Sequence, residues 1–227
     1  MAIIQKYGHF FLMRIGFDIS QTGRDKAGCG HYAASLLQAM LPLAPEHEFR
    51  LYPHFGPAIW DEKLFALWKA GENERIRLQR LAGDKKELAD FWKKAPSLRS
   101  HTLDTPDVIH ANSYFCPPPL PGCKLVSTLY DLSFVDHPEW TTPENWWNCL
   151  SGILDAAFFA DQIVAISAYS RRRFLEFFPF FPANRIHIPP PARRMAKAEG
   201  DSPSPKICRD LLSGAFWLGV GTLEPRK

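Results

Sequence analysis

No stretch of about 18 consecutive apolar residues occurs in the 227-residue chain, so no membrane-crossing helix is expected. The five cysteines, Cys29, Cys116, Cys123, Cys149 and Cys208, are odd in number and scattered, with no Cys-x-x-Cys pair and no paired histidine spacing. That pattern excludes a disulfide scaffold and offers no zinc site, and it suits the reduced, mostly buried thiols of a cytosolic protein. Also missing are the full Gly-x-Gly-x-x-Gly fingerprint of dinucleotide binding and the Gly-x-x-x-x-Gly-Lys-Ser/Thr loop of nucleoside triphosphatases. No nucleic-acid-binding motif appears, and no internal repeat.

What is present is an ordinary globular composition, 46% hydrophobic and 22% charged, which excludes disorder. The length suits one large domain, or one domain plus part of another. Net charge is +3 but unevenly placed. Residues 1–170 hold 16 Lys/Arg against 19 Asp/Glu, whereas residues 171–227 hold 11 against 5. The basic excess of the last quarter suits either an anionic partner there or a solvated basic tail. The acidic body argues against nucleic acid.

Gln5, Lys6, His9 and Arg14 interrupt any signal-peptide core, and residues 1–12 are expected to be an amino-terminal extension. From Met13 the chain runs through the β-rich Arg14-Ile15-Gly16-Phe17-Asp18-Ile19, a polar loop over 20–30, and a helical pattern with Tyr32, Leu36, Leu37, Met40 and Leu41 on one face, ending before Pro42. Strand, glycine loop and helix open a Rossmann-like unit. Phe49-Arg50-Leu51-Tyr52 is a second expected strand, and 60–94 reads as charged amphipathic helix. Further strands are expected at 107–111, 124–129, 162–166 and 185–188, with a helix over 145–159 that turns Trp147, Leu150, Ile153, Leu154, Ala157 and Phe158 inward. Ser167 and Ser170 are placed to cap a helix over 171–178. The fold class is therefore α/β, a Rossmann-like, mainly parallel sheet with helices on both faces. A Rossmann-like domain is expected over 13–191, a linker over 192–213, and the first strand and turn of a second domain over 214–227.

Ligands of an open parallel sheet bind beyond the carboxyl ends of its strands, which collects the 20–30 loop, His110 to Asn112, Tyr130-Asp131 and Ser167. Gly28 and Gly30 precede a helix, where backbone N–H groups favour an anion; a plain glycine turn is the alternative. Asp131 suits either a sugar hydroxyl or a loop cap, and His110 either a ligand or a satisfied position at a strand end. Arg171, Arg172 and Arg173 next to Phe174, Phe177 and Phe178 suit an anionic membrane surface, or a helix with arginines in solvent and phenylalanines in the core.

Taken in order, Arg14-Ile15-Gly16-Phe17-Asp18 with Gly28-Cys29-Gly30-His31-Tyr32, then Asp107-Val108-Ile109-His110-Ala111, Thr128-Leu129-Tyr130-Asp131-Leu132-Ser133-Phe134 before Pro138-Glu139, Ala165-Ile166-Ser167 before Ser170-Arg171, Arg185-Ile186-His187, and Gly219-Val220-Gly221-Thr222-Leu223-Glu224-Pro225-Arg226-Lys227 are similar to the succession in family-4 glycosyltransferases of the GT-B fold. The resemblance implies the amino-terminal, acceptor-side half of a retaining enzyme that transfers a hexose, mannose by likeness, from a nucleotide sugar to a glycan or lipid-linked acceptor in polysaccharide or lipopolysaccharide assembly. It implies no cofactor and no required metal. Arg226 and Lys227 would neutralise the donor diphosphate; Gly28, Gly30, His31, His110 and Ser167 would line the substrate side; Asp131 and Tyr130 would touch the transferred sugar. Tyr130 stands where the family often has histidine, Pro189-Pro190-Pro191-Ala192 replaces its Pro-Asn-Gly turn, and its paired-glutamate segment is absent. The chain alone is accordingly expected to be inactive, cytoplasmic, and in peripheral contact with the inner face of a membrane through residues 171–181. A non-catalytic glycan- or partner-binding module is the alternative. A nucleotide-sugar epimerase is disfavoured by the missing Gly-x-Gly-x-x-Gly and Tyr-x-x-x-Lys.

Overall fold

The computed structural model describes residues 12–24 and 26–189. They belong to the first of two units into which the chain divides, Met1–Pro191. The expected linker, the expected second-domain strand, Arg226 and Lys227 fall in Ala192–Lys227 and lie outside the described residues, as does the expected extension through residue 11.

Among the described residues, seven parallel strands form one sheet: β1 (Arg14–Asp18), β2 (Glu48–Tyr52), β3 (Ile76–Leu78), β4 (Val108–Ala111), β5 (Lys124–Leu129), β6 (Gln162–Ala165) and β7 (Ile186–His187), in the order β3-β2-β1-β4-β5-β6-β7. Each is short, and the central β1, β2 and β4 are largely buried, as parallel strands covered on both faces must be. The helices are α1 (Gly28–Leu43), α2 (Lys63–Lys69), α3 (Lys85–Lys93), α4 (Pro96–Thr102), α5 (Ser133–Asp136), α6 (Pro143–Phe159) and α7 (Ala168–Phe177). Leu37 of α1 packs with Ile15, Phe17, Phe49 and Leu51, and Phe65 and Trp68 of α2 lie against the same cluster. A second cluster joins Leu88, Phe91 and Trp92 of α3, Ile153, Ala156 and Ala157 of α6 and Phe174 of α7 to Ile109, Leu125 and Ile163. The α/β, Rossmann-like arrangement is thus present. Its strand order reverses between β1 and β4, and the loops leaving those neighbours diverge to open a crevice at their carboxyl ends.

Three local expectations change. The continuous helix over 60–94 is α2, β3 and α3 in succession. Asn73 Oδ1 accepts the amides of Arg75 and Ile76, which turns the chain, and the three-residue β3 pairs with β2. Asp84 then caps α3 by accepting the Glu87 amide at 2.8 Å. Residues 28–30, expected in a loop, form the first turn of α1, which runs through Pro42. The inward face of α6 is rotated from the expected one, burying Cys149, Gly152, Ile153, Ala156 and Ala157 while Trp147 is 63% and Phe158 67% exposed.

Residues 171–181 take the second of the two readings open to them, with phenylalanines in the core, and their arginines are engaged as well. Arg173 is bonded to Asp136 and Glu176, Arg172 lies 3.7 Å from Glu176, and Arg171 donates to the Ala183 carbonyl at 3.0 Å. Phe174 and Phe178 enter the core, leaving Phe177 and Phe180 outside, the latter stacked on Phe158 at 5.4 Å.

The amino-terminal edge of the sheet is closed by an ion network. Arg50, 2% exposed, bonds the Asp104 carboxylate and Glu48 (2.7 Å), and Arg14 reaches Glu48 at 3.1 Å and the Asp104 carbonyl at 2.8 Å. Asp104 (φ 60°) and Thr105 (φ 45°) both occupy the left-handed region, which for a β-branched threonine costs of order 1–3 kcal/mol. Arg14 Nη1 holds that turn through Thr105 Oγ1 at 2.7 Å. Burial opposes ionisation of Asp104, but the Arg50 hydrogen bond and charge prevail and hold its carboxyl below the usual range; the Arg14 hydrogen bond does the same for Glu48. Depressed folded-state values mean that this stabilisation is complete above the ordinary carboxylate range and is lost as pH falls through the lowered values. Asp104→Ala should cost about 2 kcal/mol in urea unfolding at pH 7, less than a fully buried pair because the Asp104 side chain is 38% exposed. It should also flatten the acid limb of the stability–pH curve; an unchanged acid limb would contradict the assignment.

Candidate functional site

At the reversal of strand order the Asp18 carboxylate is 1% exposed. Its Oδ1 accepts the Ser20 amide at 2.9 Å and its Oδ2 the Asn112 amide at 3.1 Å, tying the loop after β1 to the loop after β4. Burial raises its pKa despite these bonds, which pull the other way. Asn112 Nδ2 donates to the Asp18 and His110 carbonyls at 3.2 and 3.3 Å, and its Oδ1 accepts the Thr128 hydroxyl at 3.0 Å. The single Thr128 proton is thereby used. The contact of His110 Nε2 with Thr128 Oγ1 at 2.9 Å must therefore be donated by histidine, which fixes the Nε2–H tautomer. His110 is buried edge-on to Phe17, and desolvation draws its pKa down to about 4. It is a neutral sheet histidine joining β4 to β5.

Tyr130 is buried too. Its hydroxyl faces the Asn112 carbonyl at 2.9 Å and the Cys29 carbonyl at 3.2 Å, bracing the first turn of α1 against the loop after β4, and burial pushes the phenol well above its ordinary range. The Tyr130 carbonyl accepts the Ser170 hydroxyl at 2.7 Å; Ser167 caps α7 by accepting the Ser170 amide at 3.0 Å. Asp131 Oδ1 accepts the amide and hydroxyl of Ser133 at 3.0 and 2.7 Å, starting α5. Gly30 is required by close approach, since a Cβ there would stand 1.9 Å from the Gln21 carbonyl oxygen. Gly28 meets nothing within 4 Å and lies exposed at the start of α1 beside His31, whose amide donates to Ala27 O at 3.0 Å.

The cavity at this edge has a volume of about 670 Å³. Its walls are Ser20, Gln21, Gly23, Lys26 and Ala27 after β1, residues 56–59 and Asp61 after β2, Ser113, Tyr114 and Phe115 after β4, and Asn145, Asn148, Cys149, Ser151, Gly152 and Asp155 on α6. The expected 20–30 loop contributes. Gly28, Gly30, His31, His110, Tyr130, Asp131 and Ser167 are not among its walls; Gly30, His110 and Tyr130 belong to the layer that positions the loops, Gly28 and His31 lie in the first turn of α1, and Asp131 and Ser167 stand at the starts of α5 and α7. The α6 wall had a sequence signal, Asn145, Asn148 and Asp155 at helical spacing on one face. Among the described residues no cluster of three or more metal-ligating side chains occurs, and no helix is long and apolar enough to cross a membrane.

Tyr130→Phe should lower stability by about 1–2 kcal/mol, because the buried Asn112 carbonyl loses its donor and the part-buried Cys29 carbonyl its share of the same proton, and thermal unfolding should fall by about 2–4 °C per kcal/mol. Unaltered melting would refute the bracing role. For His110 the folded pKa lies below the unfolded value of 6.5, so protons bind preferentially to the unfolded chain and stability must drop as pH falls below 6.5. The loss should reach roughly 2 kcal/mol by about pH 5, and His110→Gln should remove most of that slope, leaving the same-signed share of His54, also lowered by burial.

No protein-family model and no curated protein matches the chain. Solved structures that resemble it are those of Anabaena Alr3699/HepE, with UDP and glucose at 17% identity and TM-score 0.48, and with UDP-glucose at 16% and 0.46. A third, with UDP, gives 15% and 0.47. Each likeness covers 80% of this chain and 44–45% of the other, so the chain spans less than half the length of those structures. A likeness of that degree assigns neither substrate nor activity.

Proposed function

We propose that the described domain is the acceptor-side half of a retaining, GT-B glycosyltransferase, moving a hexose such as mannose from a nucleotide sugar to a glycan or lipid-linked acceptor without a metal. The observation that carries this reading is the cleft itself. It lies beyond the carboxyl ends of β1, β2 and β4, it is of a size that holds a small saccharide, and its polar groups are hydroxyls, amides and carboxylates of the kind that bind sugar hydroxyls. The sequence resemblance supports the same reading independently of the cleft.

In this proposal Asp131 keeps contact with the transferred sugar, Tyr130 positions the loop that carries it, and Gly28 and Gly30 offer the amino terminus of α1 to the substrates. Arg226 and Lys227 neutralise the donor diphosphate as the nucleotide leaves. Peripheral membrane contact belongs to the proposal through Phe158, Phe177 and Phe180, whose rings are exposed, more than through the arginines, which are engaged. The 227 residues contain no paired-glutamate segment, so the proposal gives this chain acceptor binding without turnover. A glycan-binding module is the second reading, favoured by a cleft whose described walls already form on this domain.

Saturation-transfer NMR with glycan and lipid-linked saccharide panels, run alongside a transfer assay with labelled nucleotide hexoses, should show saccharide binding and no transfer. Turnover by the chain alone would overturn the predicted incompetence. Binding of no saccharide would overturn the acceptor-side assignment. A coding sequence continuing past Lys227 into a paired-glutamate segment supports the enzyme, and its absence supports the binding module.

A further inference from the structure

Asp155 stands apart from the other charged groups of the cleft. Asp61 Oδ1 is occupied by the Lys63 amide at 2.9 Å, and the Lys26 ammonium turns back to the Gly23 carbonyl at 3.4 Å. Asp155 is half-buried in the cleft wall, where desolvation raises its pKa, yet among the described residues it has neither a hydrogen bond nor an ion pair. A carboxylate partly withdrawn from water gains from donors, and the described residues supply none. Two turns earlier on the same face of α6, the exposed Asn148 also lines the cleft, and among the described residues its side chain has no hydrogen bond. Gly152 lies between them, so near Tyr114 that a Cβ would stand 1.3 Å from the Tyr114 carbonyl oxygen, and this close approach sets the polar face of α6 directly over the loop after β4.

Among the described lining residues there are two carboxylates and one ammonium, with no arginine or histidine, a balance that disfavours an anion. We infer that Asp155 is the specificity-determining residue of this cleft, accepting hydrogen bonds from hydroxyls of a neutral saccharide, with Asn148 two helical turns away on the same wall, and turning away phosphorylated ones. The inference rests on the acceptor-side reading and names the class of acceptor: an uncharged, hydroxyl-rich sugar. A carboxylate suits such a ligand because its two oxygens accept from adjacent hydroxyls, whereas a phosphate would meet like charge in a partly desolvated site.

The test is amide-resolved NMR titration of the 227-residue chain with methyl glycosides of mannose, glucose, galactose and N-acetylglucosamine, with their 6-phosphates, and with inorganic phosphate. At least one neutral glycoside should shift the Asn148 side-chain amide and the Gly152 backbone amide, more tightly than its 6-phosphate. Asp155→Ala should weaken that glycoside by about tenfold or more, the loss expected for hydrogen bonds to a charged acceptor. Asp155→Asn keeps one acceptor oxygen but drops the charge, and it should weaken binding less while narrowing the gap between neutral and phosphorylated ligands. Equal or tighter binding of the phosphorylated forms by the unaltered chain, or undiminished glycoside binding in both variants, overturns the inference and leaves the acceptor-side reading standing. Absence of any saccharide-induced shift in the cleft overturns both.

Discussion

Asp18 sits where the chain, having built β1, β2 and β3 outward in one direction, returns to lay β4 on the other side of β1. A carboxylate at such a point is costly to bury, and burial does prevail in raising its pKa. The return is a pair of backbone hydrogen bonds that only an acceptor with two oxygens can make, one to Ser20 and one to Asn112. Those bonds set the separation of the two loops that diverge from the strand reversal, and both loops are walls of the cleft. The same constraint propagates through Asn112 to Thr128 and His110 and through the Asn112 carbonyl to Tyr130, so the carboxyl edges of β1, β4 and β5 and the first turn of α1 move as one piece.

Two glycines extend that rigidity outward. Gly30 lets α1 begin against the Gln21 carbonyl, and Gly152 lets α6 lie against the Tyr114 carbonyl, each at a separation that a methyl group would forbid. The cleft is therefore framed by backbone lying on backbone, with few flexible side chains in between. Such framing limits reorganisation when a ligand arrives, which favours affinity by reducing the ordering cost of binding.

The sheet was legible because its strands are short, β-branched or aromatic runs too brief for helices: Ile15-Gly16-Phe17, Val108-Ile109 and Ile163-Val164-Ala165. The segment holding β3 was not, since Ile76-Arg77-Leu78 is too short to show a period and its strand character comes from pairing with β2. On α6, apolar residues flank the polar Asn145, Asn148 and Asp155 on both sides, so composition could not say which face the sheet would take; Gly152 lies inward where the Tyr114 carbonyl leaves no room for a Cβ. The same ambiguity hid the cleft wall. Asn145, Asn148 and Asp155 resemble a solvated stripe until the loop after β4 is seen to face them. Conversely His110 and Tyr130 are chemically versatile residues that tertiary structure spends on joining strands, and no local pattern distinguishes that use from a catalytic one.

The two edges of the sheet divide stability from recognition. Ion pairs are gathered at the amino-terminal edge in Arg14, Arg50, Glu48 and Asp104, while the carboxyl edge is held by hydrogen bonds among the Asp18 carboxylate, backbone groups, hydroxyls, an amide and a neutral histidine. A five-residue strand such as β1 separates the edges by about 16 Å. Among the described residues the charged side chains that line the cleft are Asp155, Asp61 and Lys26. The arrangement lets the acceptor preference be altered at α6 without disturbing the ion network that closes the opposite edge, because the two groups share no partner and lie beyond the range within which substitutions commonly couple.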